Sequence, residues 1–446
     1  MEQDADVQSS FSLSRLTGQN LVSLTTRLRE GSLALLDYLE QLEAAFETWE
    51  PEIQAFVAEE GRFARLRQEA QHLLDQYPEP VMRPPLFGVP LAVKDIFHAK
   101  GFETFAGSAL PAGELRGREA AVVTALKQAG TLVLGKSVTT EFAYFAPGPT
   151  RNPHNLAHTP GGSSSGSAAA VAAGFCPLAL GTQTIGSINR PAAFCGVVGY
   201  KPSYDRIARD GVIPLAPSLD HVGFFTAHVP GAGLVAGLLA SQWQVDIIAR
   251  KPVLGIPQGP YMERASAAGL LHFRDTCQRL GEAGYTIKMV PALPDFPEIE
   301  VRLNQLLAAE AYDTHARWLA AHEDRYHEKT RALLDKGKTV PAQAVGGARR
   351  GQEVLRLQLL QLMDEHGLDL WITPAAPGPA PVGLESTGDP IMNLPWTYSG
   401  LPTLSVPAGR DDEGLPLGIQ LVGRWYGDEV LLQWAEHVER VLQERS

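Results

Sequence analysis

From Gly161 to Gly174 the chain reads Gly-Gly-Ser-Ser-Ser-Gly-Ser-Ala-Ala-Ala-Val-Ala-Ala-Gly, a Gly/Ser loop that opens straight into a helix of small residues. That junction constrains the fold more than any other run. A flexible linker has a similar composition, but a linker would not lead directly into an apolar, strand-bearing core. Backbone amides and hydroxyls converge at the start of the helix, where negative charge is favoured. A second Gly/Ser turn follows, Gly181-Thr-Gln-Thr-Ile-Gly-Ser-Ile-Asn-Arg-Pro191, and places Ser187 twenty-four residues after Ser163. A helix and a returning strand fill that interval, so both loops can meet at one end of a sheet. The third element is Lys94, at the end of the apolar run Leu86-Phe-Gly-Val-Pro-Leu-Ala-Val-Lys-Asp95. A lysine is ordinarily solvated there. One held in an apolar pocket has its pKa lowered and can serve as a base.

Around these loops, strand and helix patterns alternate. Short apolar runs predict strands at Leu86–Asp95, Thr131–Leu134, Pro177–Thr182, Val253–Ile256, Tyr285–Val290, Leu370–Ile372, Thr403–Val406 and Leu417–Leu421. Glu119–Gln128 and Ala168–Ala173 read as helices. Before them, Leu33, Leu36, Tyr38, Leu39, Leu42 and Phe46 recur at helical spacing, which predicts two or three helices between Asn20 and Gln76, broken at Pro51 and Pro78. The pattern is that of an α/β protein with a largely buried sheet. Residues 1–80 are expected to form an N-terminal helical segment packed on a core of residues 81–446. The mostly helical section at about 259–365 is either a cap or further covering helices. No Ser/Gly-rich or charged linker sets it apart, so a single domain is expected.

Composition removes several function classes. With 38 Lys+Arg against 50 Asp+Glu and a net charge of −12, the chain is a poor ligand for a phosphate backbone, and no nucleic-acid partner is expected. Three scattered cysteines, Cys176, Cys195 and Cys277, fit a reducing compartment rather than a disulfide framework or a zinc cluster. No run reaches the ~18 apolar residues of a membrane span. The opening Met1-Glu2-Gln3-Asp4 is acidic, unlike a signal peptide. A cytoplasmic location is the expectation.

Some motifs mimic chemistry. Gly130-Thr-Leu-Val-Leu-Gly-Lys-Ser137 matches the P-loop pattern, yet its middle residues want to be a strand and a helix precedes it. Gly162-Ser-Ser164-Ser-Gly166 matches the nucleophile elbow, with Ser164 central, but His158-Thr-Pro-Gly161 cannot be the strand that an elbow requires. Its triad would also need His366 or His437, and a lone His in a terminal helix is more often a surface residue. His154 and His158 lie in a proline-rich loop, and His322 and His327 are five apart rather than four, so no metal site and no cofactor are expected.

Lys94, the Gly161–Gly174 segment and the Gly181–Pro191 turn together resemble the three hallmarks of the amidase signature family. Pro85–Asp95, Gly130–Lys136, Val197–Pro202 and Gly414–Gly423 match its usual pattern as well. The likeness covers roughly residues 20 to 440, loosely from about 260 to 365. It implies a central mixed β-sheet covered by helices on both faces. It also implies a metal-independent hydrolase of C–N bonds with Ser187 as nucleophile, Ser163 as bridging serine on a cis peptide after Gly162, and Lys94 as base. The amides of Thr184, Ile185, Gly186 and Ser187 would form the oxyanion hole.

The turn departs from the family's common Gly-Thr-Asp-Thr-Gly-Gly-Ser-Ile-Arg. Gln183 stands for Asp, Ile185 for Gly and Asn189 for Arg, so two charges vanish together while Gln183 and Asn189 can still share a neutral hydrogen bond. Whether Arg190 replaces the lost cation is left open. These changes favour a free-standing hydrolase over an amidotransferase-type glutaminase subunit with partner chains. The substrate would be a small or aryl amide, or else a carbamate (urethane) or ureide, bound without a membrane partner, and a homodimer is the candidate assembly. Phe142, Tyr144, Phe145, Gly162 and Ser164 are the candidate pocket residues. For the three aromatics, an ordinary place in the core is as good a reading.

Overall fold

The computed structural model describes residues 20–244 and 248–444. The acidic opening Met1–Asp4, with the rest of the first nineteen positions, lies outside them. Ten strands form one mixed sheet: β1 (Pro90–Lys94), β2 (Leu132–Ser137), β3 (Leu178–Gln183), β4 (Val198–Lys201), β5 (His221–Thr226), β6 (Val253–Gln258), β7 (Thr286–Pro291), β8 (Leu370–Pro374), β9 (Thr403–Arg410) and β10 (Pro416–Val422). Their order is β2-β1-β3-β5-β4-β9-β10-β8-β6-β7. The flanks, β2-β1-β3 and β8-β6-β7, are parallel, and the centre is antiparallel.

Helices cover both faces, and the strands show it residue by residue. In β1, Leu91 and Val93 join one apolar cluster while Ala92 joins the other; in β3, Leu178 and Leu180 oppose Ala179. Side chains alternate along a strand, so two apolar sets in one strand require cover on two sides. On the second face the small-residue helix, Ser165–Ala172, is fully buried and shares its apolar cluster with three N-terminal helices, Leu21–Glu30, Leu35–Ile53 and Arg62–Gln76. The expected break at Pro51 is corrected: the second of these helices runs past Pro51 to Ile53. It stops at Gln54, which is left-handed at φ 55° with its amide on the Glu50 carbonyl.

Close packing explains the small side chains. A Cβ on Gly166 would lie 2.1 Å from the Ala55 carbonyl oxygen and 2.5 Å from the Val138 amide nitrogen. Backbone on both sides leaves it nowhere to go. Gly166→Ala is therefore expected to lower stability by about 1–3 kcal/mol, read as a drop in Tm.

Strands β4 and β5 are absent from the sequence-based expectation. Val198-Gly-Tyr-Lys201 is only four residues long, and β5 opens on a histidine and carries Gly223. The two backbones approach so closely that a Cβ on Gly223 would sit 2.1 Å from the Tyr200 carbonyl oxygen, so glycine there reflects contact rather than a turn. Within the section at about 259–365, β7 joins the edge of the sheet and the helix Phe296–His322 sends Leu307 to the cavity described below. No helix among the described residues is long and apolar enough to cross a membrane.

Candidate active site

Strands β1 and β3 are parallel neighbours, so their carboxyl ends lie side by side, and the antiparallel β5 begins at the same edge. Lys94 ends β1, Thr182 and Gln183 end β3, and Asp220 immediately precedes β5. Loops at the carboxyl ends of parallel strands are the usual place for a ligand.

Lys94 is fully buried, and its Nζ donates to Ser163 Oγ and to Thr182 Oγ1, each at 2.8 Å. Burial pushes its pKa well below the usual lysine value, against a weaker opposing pull from Asp220. The amine is therefore held toward its neutral form, able to accept a proton. The Gly162–Ser163 peptide bond is cis, in line with what the resemblance implies.

Ser187 shares a small cavity with Ser163, Arg190, Tyr144, Phe145 and Leu307. Among the described residues, the amides of Thr184, Ile185, Gly186 and Ser187 have no hydrogen-bond acceptor, whereas those of Ile188 and Asn189 both donate to Gln183 Oε1, at 2.8 and 3.0 Å. Unsatisfied amides along one tight turn are what a developing oxyanion requires.

The neutral pair expected at the turn is present: Gln183 Nε2 donates to Asn189 Oδ1 at 2.9 Å. Arg190 does not replace the missing cation at that position. It turns instead to the Gly162 carbonyl (2.6 Å) and Thr387 Oγ1 (3.0 Å) through Nη2, and burial lowers its pKa to about 9.

Other candidates separate. Tyr144 and Phe145 line the cavity, whereas Phe142 packs among His315, Trp318 and Tyr326 in the core. Gly162 contributes its carbonyl to Arg190 rather than a cavity wall. Ser164 is buried, exchanging hydrogen bonds with the Thr182 backbone at 3.2 and 3.3 Å, which leaves no elbow nucleophile. The P-loop match is strand β2, and its Lys136 forms a buried ion pair with Asp95 at 2.7 Å.

Several residues carry no sequence signal. Asp220 accepts from Thr184 Oγ1 at 2.6 Å and from the amides of Leu215 and Ala216, and burial raises its pKa to about 6. Thr397 Oγ1 donates to the Ile185 carbonyl at 2.6 Å, bracing the turn. Asn393 stands behind Gly186, where an added Cβ would lie 2.3 Å from its Oδ1. Among the described residues no group of three His, Cys, Asp or Glu side chains could hold a metal ion.

The family model described as Amidase matches residues 37–432. A glutamyl-tRNA(Gln) amidotransferase subunit from Synechococcus sp. (strain RCC307) is 31% identical, across 93% of this chain and 95% of that one. A solved structure described as an amidase superposes with a TM-score of 0.87 at 30% identity, covering 95% of this chain and 99% of the other. The native peptide amidase from Stenotrophomonas maltophilia gives a TM-score of 0.78 at 26% identity, covering 95% and 96%.

Proposed function

Since the chain belongs to the amidase signature family, we propose that it is a hydrolase of small amides in which Ser187 is the nucleophile and Ser163 and Lys94 relay the proton. The observation that carries this reading is the fully buried Lys94, 2.8 Å from Ser163 Oγ in the cavity that holds Ser187. Neutral Lys94 takes the Ser163 proton as Ser163 takes the one from Ser187. The Ser187 oxygen then bonds to the substrate carbonyl carbon. The carbonyl oxygen becomes an anion facing the amides of residues 184–187. As the C–N bond breaks, the relay runs backward and protonates the departing nitrogen. Water enters by the same relay, and hydrolysis of the acyl-enzyme frees the carboxylic acid and Ser187. Carbamates and ureides pass through the same acyl chemistry. The three free cysteines agree with a cytoplasmic setting.

A second reading, a glutaminase subunit that works with partner chains, is favoured by the amidotransferase relatives at 31% identity. The neutral Gln183–Asn189 pair and the apolar Ile185 beside the turn weigh against it. The purified chain, alone and treated with a strong chelator, is expected to release ammonia or amine from a panel of amides, anilides, carbamates and ureides. Glutamine turnover that appears only with added partner chains would favour the second reading. Loss of activity restored by zinc would sink the serine mechanism.

A further inference from the structure

Arg190 is 2% exposed, yet its charge is only partly answered. Nη2 is committed to the Gly162 carbonyl and Thr387 Oγ1, while Nε and Nη1 have no hydrogen-bond partner among the described residues. None of their carboxylates pairs with it either. Asp389 acts on it only through space, with its own Oδ1 accepting from the Ile391 amide at 3.0 Å. The Phe145 ring, 6.0 Å from the guanidinium carbon, is a weak substitute for a counter-ion. A buried charge with free donors is costly unless something pairs with it. Because Arg190 lines the same cavity as Ser163 and Ser187, whatever pairs with it lies beside the scissile bond.

We infer that Arg190 recognises a carboxylate on the substrate, so that the preferred substrates are short amides whose acyl part ends in a carboxylate. This rests on the hydrolase reading above and narrows it. A guanidinium suits a carboxylate better than any neutral group, through charge-assisted hydrogen bonds. The cavity is tight, walled by Tyr144, Phe145, Leu215, Leu307 and Pro390, which limits the acyl chain to a few carbons. The acyl part is the portion so recognised because the nucleophile, the oxyanion turn and Arg190 share this one cavity.

The test compares succinamate with 4-methylpentanamide, in which an isopropyl group replaces the carboxylate. The unmodified protein is expected to show kcat/KM for succinamate higher by on the order of 100-fold, the equivalent of one or two charge-assisted hydrogen bonds. In Arg190→Gln that ratio is expected to fall to about one, whatever the variant's absolute rate. Equal kcat/KM for the two amides in the unmodified protein would overturn the inference while leaving amide hydrolysis in place, and this arm needs no variant to fold. If neither amide is turned over, the hydrolase reading falls for these substrates, and calorimetric titration of the unmodified protein decides alone. Succinamate bound at least about tenfold more tightly than 4-methylpentanamide keeps the inference; equal or absent binding overturns it.

Discussion

Ser187→Ala is expected to abolish both turnover and labelling by a fluorophosphonate probe, which in the unmodified protein should attach to Ser187 and be located by peptide mass mapping. Ser163→Ala breaks the proton path between Lys94 and the nucleophile, and Lys94→Ala removes its end point. Each should cut kcat by about 10³-fold or more, since members of one catalytic unit fail together. For the same reason the double variant should be little worse than either single one. Ser164→Ala should be much milder, because that hydroxyl only ties the loop to the Thr182 backbone. A probe that lands on Ser164, with Ser187→Ala near normal, would replace the proposed nucleophile.

Lys94 also ties both activity and stability to pH. If its neutral form is the base, kcat/KM should rise with pH through the lowered pKa and then level off. A profile that falls above neutrality without unfolding would count against Lys94. The unfolded chain keeps the ordinary lysine pKa of about 10.4. Between the lowered native value and that figure, the unfolded state holds a proton that the native state has given up, so stability increases with pH across this window. Burying Lys94 therefore costs stability at neutral pH. Lys94→Met should lose turnover yet melt at a higher temperature than the unmodified protein at pH 7, and the gap should close toward pH ~10.4. A lower Tm for Lys94→Met at every pH would show that the amine is not held neutral at a cost.

Much of this site was legible in the chain because it is built from local runs. The Gly/Ser loop, its small-residue helix and the 181–191 turn are contiguous, and their spacing alone brings Ser163 and Ser187 to one end of a sheet. The apolar run that ends in Lys94 marks a buried strand for the same reason, since alternation and turn residues are read over a few positions. Expectations failed where a local rule met a tertiary one. Glycines in β4 and β5 resemble loop punctuation until another backbone is seen against them, and Pro51 fits within the last turn of a helix whose end is set at Gln54.

Phe142, Tyr144 and Phe145 are equivalent as letters, but the helix Phe296–His322 and its neighbours bury the first and leave the others at the cavity. By itself the sequence determined the α/β alternation, the two loops and the lysine that joins them. Tertiary structure alone decided that Lys94 loses its water, that Asp220 and Thr397 brace the turn from distant segments, and that Arg190 faces the cavity with donors to spare. Burial and long-range hydrogen bonding belong to no single stretch of chain, because each depends on which distant segments the fold brings into contact.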